Sequence, residues 1–181
     1  MVCPATPARR DVSGNKPLIV TAQLPADLQR WATRLRQLHY PPERNWLDAH
    51  VTLFHALPPG SEGELRTRLS RLAAITPPPP ASLTGIMDLG QGTALRLDSP
   101  AMLDLRDDIA DFCHGLLTAQ DQARPRLHVT IQNKVSKHTA RALQSELNQS
   151  FELIDFRFSG LALHAYDGGP WNLLQEWRFR G

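Results

Sequence analysis

The sequence predicts an α+β protein of two pseudo-symmetric lobes, each a mostly antiparallel sheet packed by helices. Three observations lead to this prediction. Strand-like and helix-like segments alternate along the chain, the same order occurs twice at an offset of about 75 residues, and one tetrapeptide pattern occupies the same place in both copies. An internal duplication of this kind is expected to leave a cleft between its two halves.

The first half begins with a β-rich apolar run that predicts a strand over 18–22. Apolar residues at steps of three and four from Leu24 to Leu38 then predict a helix over 26–39. The two prolines after Tyr40 end this helix, because proline cannot continue the helical hydrogen bonds. The remaining predicted elements of this half are a strand at 49–54, a helix at 61–75 and a strand at 83–89.

The second half repeats this order. Ser99 followed by Pro100 is typical of a helix start. The predicted elements are a strand at 93–97, a helix at 100–117, a strand at 127–132, a helix at 136–149 and a long strand at 153–165. The apolar parity of that last strand shifts at Gly160, which predicts a β-bulge. After a loop at 167–170, a strand at 173–179 is the last predicted element.

Composition excludes several classes of protein. The chain has 181 residues, of which 41% are hydrophobic and 21% charged, close to the average of a globular domain. No apolar run approaches the roughly 20 residues that span a bilayer, and the first residues do not have the pattern of a secretory signal. Two cysteines, Cys3 and Cys113, are too few for a disulfide framework. We therefore expect a reduced, cytoplasmic protein with no membrane partner and no obligate protein partner.

The charge balance limits the kind of nucleic acid that the protein could meet. Lys and Arg number 20 and Asp and Glu 18, and the excess of two lies within residues 1–16. Proteins that follow many phosphates usually carry a basic face, so a short piece or an end of RNA is the better expectation. We predict a disordered tail over 1–16 and a single bilobal domain over 17–181. Its halves are approximately 17–90 and 91–181, with exchange of strands between them left open.

The chemistry lies in a repeated His-apolar-Thr-apolar pattern. It occurs as His50-Val51-Thr52-Leu53 and again, 78 residues later, as His128-Val129-Thr130-Ile131. In a strand, residues i and i+2 point to the same face, so each histidine projects together with its threonine. Two imidazoles can divide acid and base roles near neutral pH, and hydroxyls can donate to phosphate oxygens. The pattern predicts displacement at phosphorus without a metal.

Two other interpretations of the pattern exist. A single His-x-Thr strand can be a polar stripe at a sheet edge, but two copies at equivalent places argue against it. A zinc site requires three or four ligands, usually with cysteine or carboxylate help, and neither motif has a nearby cysteine. We treat His39 and His55 as ordinary, partly buried histidines and predict no metal ligands.

The paired motifs, the duplicated halves and the length resemble the 2H phosphoesterase superfamily, in particular its bacterial 2′,5′ RNA ligase and cyclic phosphodiesterase-like branch. The resemblance covers roughly residues 17–180. The segments that carry it are 44–58 and 128–135, which contain the motifs, and 166–171, which is Tyr-Asp-Gly-Gly-Pro-Trp. The twin motifs are specific to the superfamily but not to one substrate.

The resemblance implies a two-histidine phosphodiesterase that acts on a 2′,3′-cyclic phosphate at an RNA end or on a small cyclic nucleotide. By analogy with the family, His50 would be the catalytic acid and His128 the base, although the near-symmetry makes either order chemically sensible. Thr52 and Thr130 would hold phosphate oxygens. No cofactor is expected, and no Gly-rich phosphate loop for ATP is present in the sequence. A 2′,5′ RNA ligase activity and a non-catalytic module that binds RNA ends are the alternatives.

Four further residues are candidates for substrate binding. Lys134 and Arg126 lie six residues after and two residues before His128, hence on its strand face if the strand is regular. Relatives often have an arginine just beyond the second motif, where this chain has Asn133 and then Lys134. Phe54 shares the parity of His50 and would wall the pocket. Tyr166, and less so Trp171, could stack on a base.

Overall fold

Two four-stranded antiparallel sheets form the framework of the computed structural model, which describes residues 16–181. The first sheet has the strand order β2-β1-β7-β8 and the second the order β5-β4-β3-β6. Helices pack against both sheets, so the predicted α+β class with two lobes is confirmed. In chain order the elements are β1 (Leu18–Gln23), α1 (Ala26–His39), β2 (Val51–Leu57), α2 (Glu62–Ile75), β3 (Pro80–Asp88), β4 (Gly92–Asp98), α3 (Pro100–Phe112), α4 (Ala119–Gln122), β5 (His128–Asn133), α5 (Lys137–Gln149), β6 (Ile154–Arg157), β7 (Gly160–Tyr166) and β8 (Trp171–Arg178).

Local capping explains where the helices begin and end. The side chain of Ser99 accepts a hydrogen bond from the Met102 N–H at the start of α3, and Ser136 caps α5 in the same way. Helix α3 ends at Phe112, before the predicted end at 117, and Gly115 follows with a positive φ of 79°. A left-handed residue cannot continue an α-helix. The short helix α4 that comes next was not predicted.

Each half contributes strands to the sheet of the other half. Strand β3 comes from the first half but pairs with β4, and strand β7 comes from the second half but pairs with β1. The sheets therefore do not divide the chain at residue 90. The buried side chains of both sheets form one continuous hydrophobic core, so the halves are built as one unit.

The long strand predicted over 153–165 is wrong. The segment contains two strands in different sheets, since β6 pairs with β3 whereas β7 pairs with β1. The parity shift at Gly160 marks this change of sheet and not a bulge within one strand. A Cβ at residue 160 would collide with the carbonyl oxygen of Trp177, which explains the glycine, because only glycine permits such a close backbone approach.

A buried arginine of the first half holds the second histidine strand. Arg36 of α1 is 4% exposed, and its Nη1 donates to the Thr130 carbonyl of β5 at 2.8 Å. Its Nε donates to the Leu47 carbonyl and to Asn45 Oδ1 in the segment before β2, at 2.9 and 2.8 Å. One guanidinium thus connects α1, the approach to His50 and the strand that carries His128.

A second arginine makes the reciprocal connection. Arg106 of α3 is 3% exposed and donates to the carbonyl oxygens of Asp121 and Ala123, in the segment before β5. Its Cζ lies 4.6 Å from the ring centroid of Phe54 on β2, within the range of a cation–π contact. Each half therefore contributes a buried arginine that reaches the histidine strand of the other.

Asp121 of α4 also binds β2 through hydrogen bonds. Its buried carboxylate accepts hydrogen bonds from the backbone N–H groups of His55 and Ala56, both at 2.9 Å, and lies 3.0 Å from His55 Nδ1. Burial alone would raise the pKa of Asp121, but the hydrogen bonds from the His55 side chain and from the two backbone N–H groups outweigh it and lower the pKa. His55, expected to be an ordinary partly buried histidine, is a partner of this carboxylate.

Replacing this carboxylate should destabilise the protein. We expect Asp121→Ala to lower the free energy of unfolding by about 2–3 kcal/mol at pH 7, because two backbone N–H groups and the His55 imidazole lose their shared acceptor. The folded-state pKa of Asp121 lies below its ordinary 3.8. The stabilisation is therefore present above pH 3.8 and is lost as the pH falls through the folded value. Urea unfolding at neutral pH and at a pH below the ordinary pKa measures both effects.

Asp104→Ala is the matched control, since Asp104 is exposed and pairs only with Arg124 at the surface. It should change stability by less than about 0.5 kcal/mol. Equal losses for the two variants would contradict the role of Asp121 between α4 and β2.

Candidate active site

The two motif histidines are held in the same way. His50 Nδ1 lies 2.8 Å from the carbonyl oxygen of Asp48, and His128 Nδ1 lies 2.7 Å from the carbonyl oxygen of Arg126. A carbonyl oxygen can only accept, so Nδ1 carries the proton in each ring. The Nε2 atom of each ring is left to exchange a proton with a ligand. Both motifs therefore place the Nδ1–H of the histidine against a backbone carbonyl oxygen two residues earlier.

Both histidine strands bulge directly after the motif threonine. Thr52 is opposite Thr21 whereas Phe54 is opposite Val20, so Leu53 is the extra residue of β2. In β5, Thr130 is opposite Ala94 and Gln132 is opposite Thr93, which makes Ile131 the extra residue. A bulge reverses the alternation of faces beyond it. Residues after each threonine therefore do not follow the parity of the histidine.

Phe54 does not wall the pocket as predicted. The bulge at Leu53 turns Phe54 into the core, where its side chain is 0% exposed and lies against Arg106. The prediction assumed regular alternation along β2, and no pattern in the sequence indicates the extra residue.

Lys134 does not share the strand face of His128 either. Strand β5 ends at Asn133, and Lys134 follows with φ at 57°, its N–H donating to Asn133 Oδ1 at 2.8 Å. The bulge at Ile131 and this left-handed residue both break the assumed regularity. Arg126 is exposed and precedes β5.

Trp171 is an aromatic residue beside the first motif histidine, although it was expected to matter less than Tyr166. Tyr166 is 41% exposed at the end of β7, whereas the Trp171 ring lies 4.5 Å from that of His50, centroid to centroid. The segment before β2 also approaches the β7–β8 loop here. A Cβ on Gly169 would collide with the indole of Trp46, so glycine permits this close approach.

A pocket of about 400 Å³ opens beside His50 on the first sheet. Apolar side chains of Leu47, Trp171 and Leu173 line it, together with polar groups that include Gln23 and Glu176. The Gln23 amide donates to the Glu176 carboxylate at 2.5 Å. Since that carboxylate repels a phosphate, the pocket suits an uncharged or hydrogen-bond-donating part of a ligand.

His164 is a site residue that sequence reasoning missed. It projects from β7 into the same pocket, 3.1 Å from Thr21 Oγ1 through its Nε2 and 5.6 Å from the Trp171 ring. Burial lowers its pKa. A histidine within an otherwise apolar strand was the available signal, but only the pairing of β7 with β1 brings it close to the first motif.

The environment of His50 disfavours its charged form. Burial is the largest cause that lowers the pKa of His50 to about 4, against a smaller opposing effect of the Asp48 carbonyl, and Arg36, His164 and His128 lower it further. His50 is therefore neutral near pH 7 and able to accept a proton. Strands β2 and β5 contact each other, so the two motifs lie on neighbouring strands. Within residues 16–181, no group of three or more His, Cys, Asp or Glu side chains is arranged to hold a metal.

The structure is a two-lobed α+β protein with one His-x-Thr motif at a strand of each sheet. The family model of the 2′-5′ RNA ligase superfamily matches residues 24–170, and the chain belongs to this superfamily. The resemblance to the 2H phosphoesterases is thereby confirmed, and membership supports a phosphodiesterase or RNA-ligase-like role. No curated protein matches the chain.

Solved structures share the fold at low sequence identity. TT0787 of Thermus thermophilus is 16% identical with a TM-score of 0.59, and the match covers 91% of this chain and 98% of that one. LigT of Escherichia coli, in a complex with 3′-AMP, is 17% identical with a TM-score of 0.54, over 92% and 99% of the two chains. Among the residues that the structure describes, no helix is both long and apolar enough to cross a membrane.

We expect His50 to remain neutral down to a pH of about 4. The pKa of His50 in the folded protein lies below the ordinary 6.5, so the unfolded chain binds a proton at His50 at a higher pH than the folded protein does. The contribution of His50 to stability therefore falls as the pH drops from 6.5 to about 4. NMR titration of the imidazole resonances measures the pKa. In Trp171→Ala the ring of His50 is more hydrated, and its pKa should rise towards 6.5; an unchanged low pKa would contradict burial by Trp171 as a cause.

Proposed function

We propose that this protein hydrolyses 2′,3′-cyclic phosphates, at RNA ends or on small cyclic nucleotides, by general acid–base catalysis without a resident metal. The observation that carries the proposal is the duplicated histidine geometry. Two imidazoles with the same tautomer, each followed by a threonine, come from strands that meet between the lobes. Such a pair can remove one proton and deliver another in a single displacement at phosphorus.

We assign the roles of the two histidines from the lowered pKa of His50. His50, with its lowered pKa, is the proposed base: its Nε2 takes a proton from water as the water oxygen attacks phosphorus. His128 is the proposed acid and protonates the departing ribose oxygen as the P–O bond breaks. This order is the reverse of the one by which family analogy makes His50 the acid. Thr52 and Thr130 are proposed to donate to the non-bridging oxygens.

The pocket beside His50 is the proposed site of the nucleoside. Its apolar walls suit a base and its polar groups suit ribose or base edges. Trp171 provides an aromatic face next to the first histidine. The binding of 3′-AMP by the structurally similar LigT supports a ribonucleotide as the kind of ligand that enters such a cleft.

A 2′-5′ RNA ligase activity is the second candidate, and the family to which the chain belongs favours it. The same acid and base can serve ligation, because it begins with attack on the same cyclic phosphate. A ribose hydroxyl would then replace water as the attacking group, and the ring of the cyclic phosphate would open as the new phosphodiester forms. RNA termini are the proposed partners in both reactions.

Hydrolysis of 2′,3′-cyclic AMP and of a short RNA with a 2′,3′-cyclic end, both with EDTA present, tests the proposal. We expect His50→Ala and His128→Ala each to lower kcat/KM by about 10²–10⁴-fold, the usual contribution of one acid or base. His138→Ala is the matched control, because His138 is exposed on α5 at the outer side of the second sheet. The isomer of the product phosphate identifies the oxygen that departs.

Two results would argue against hydrolysis. No turnover by the wild type, with tight binding of the RNA end that survives both substitutions, would indicate a binding module. Activity that EDTA abolishes and a divalent metal restores would indicate a different mechanism. Formation of a linked RNA product in place of hydrolysis would favour the ligase.

Loss of Trp171 should weaken substrate binding more than catalysis. Removing a ring that stacks on a base costs about 1–3 kcal/mol, so we expect KM of Trp171→Leu to rise roughly 5- to 150-fold with a smaller change in kcat. Tyr166→Leu is the comparison, since Tyr166 lies outside the residues that line the pocket. A larger effect of Tyr166→Leu would restore the original expectation for Tyr166 and contradict the proposed nucleoside pocket.

A further inference from the structure

Strand β4 brings one cation to the second histidine motif. Arg96 is directly opposite His128 in the antiparallel pair of β4 and β5. Side chains at directly opposed positions project from the same face of a sheet with their Cβ atoms about 4.5–5.5 Å apart. Arg96 therefore lies on the face from which His128 and Thr130 project. The bulge at Ile131 lies beyond this pair, so it does not disturb the register there.

The other basic residues near the motif are placed less well. Lys134 follows the bulge and the end of β5, and Arg126 precedes β5 and is not paired in the ladder. Asn133, the last residue of β5, is uncharged. Its Oδ1 accepts a hydrogen bond from the Lys134 N–H. A negative phosphate beside His128 thus lacks a cation from β5 itself.

The guanidinium of Arg96 is available for a ligand. Arg96 is exposed, and across residues 16–181 its side chain forms neither an ion pair nor a side-chain hydrogen bond. Its neighbour on the other side is Gly85 of β3, where even an added Cβ would meet open space. Asp98, two residues further along β4, is opposite Ser82 and forms no salt bridge with Arg96.

We propose that Arg96 binds a non-bridging oxygen of the phosphate at the second motif. This inference rests on the proposed function. A guanidinium stays protonated, so Arg96 takes no part in proton transfer. It acts by electrostatic attraction, which grows as the singly charged cyclic phosphate gains negative charge during attack. Its loss should therefore lower kcat as well as raise KM.

Kinetics with 2′,3′-cyclic AMP provide the first test. We expect Arg96→Gln to lower kcat/KM by about 10²–10³-fold, the scale for one group that stabilises transition-state charge. Arg96→Lys should restore part of this loss, because lysine keeps the charge but not the forked geometry. Arg141→Gln is the matched control: it removes the same charge from the exposed face of α5, on the outer side of the second sheet, and should leave activity unchanged.

Binding of inorganic phosphate, followed by NMR of the imidazole resonances of His128, separates this inference from the proposed reaction. The wild type should bind phosphate at least about 10-fold more tightly than Arg96→Gln, and Arg126→Gln and Lys134→Gln should lose less affinity. If the wild type binds phosphate through Arg96 but turns over no cyclic phosphate, the hydrolase proposal fails and the assignment of Arg96 stands. If neither turnover nor phosphate binding occurs, both fail.

Two outcomes overturn the assignment while leaving the hydrolase intact. One is an Arg96→Gln variant that turns over substrate and binds phosphate like the wild type. The other is a larger loss of phosphate affinity in Arg126→Gln or Lys134→Gln than in Arg96→Gln. That result would show that Arg126 or Lys134 binds the phosphate. Arg96→Lys reports on the assignment if Arg96→Gln fails to fold, because it preserves the side-chain length and charge at an exposed strand position.

Discussion

Two buried guanidiniums hold the histidine strands together. Arg36 reaches from α1 to the backbone of β5, and Arg106 reaches from α3 to the ring of Phe54 on β2. A buried charge is costly without hydrogen-bond partners, and each arginine donates to backbone carbonyl oxygens that precede the histidine strand of its own half. Among the described residues, the Nε of Arg106 has no such partner. Asp48 and Arg126, whose carbonyl oxygens orient the two imidazoles, lie in the same segments before the histidine strands. The arginines therefore also hold the residues that orient each histidine.

Strand exchange gives this connection a rigid base. Because β3 and β7 each complete the sheet of the opposite half, neither lobe can separate without breaking a central strand pair. The cleft is consequently a fixed feature of one core and not a hinge between two domains. A fixed separation of the two histidines suits the proposed proton transfer, which depends on positions held to within a fraction of an ångström.

The duplication is symmetric in the backbone and asymmetric in the environment. Both histidines use Nδ1 on a carbonyl oxygen two residues earlier, and both threonines precede a bulge. Around this shared frame, Trp171 and His164 enclose the first motif, whereas an exposed arginine of β4 lies beside the second. Two copies of one motif can divide acid and base roles only if such differences separate their affinities for protons.

The sequence by itself determined the α+β class, most element boundaries and the paired motifs, because apolar periodicity, proline, capping residues and the repeat are local signals. It could not determine the positions of Phe54 and Lys134, since one extra residue in each strand reverses every later face and leaves no mark in composition. The sequence also predicted one strand over 153–165. A change of sheet and a β-bulge both shift the alternation of apolar residues, so the pattern does not distinguish them. Only the tertiary structure brought His164 and Arg96 to the motifs, since strand pairing joins residues that are distant along the chain.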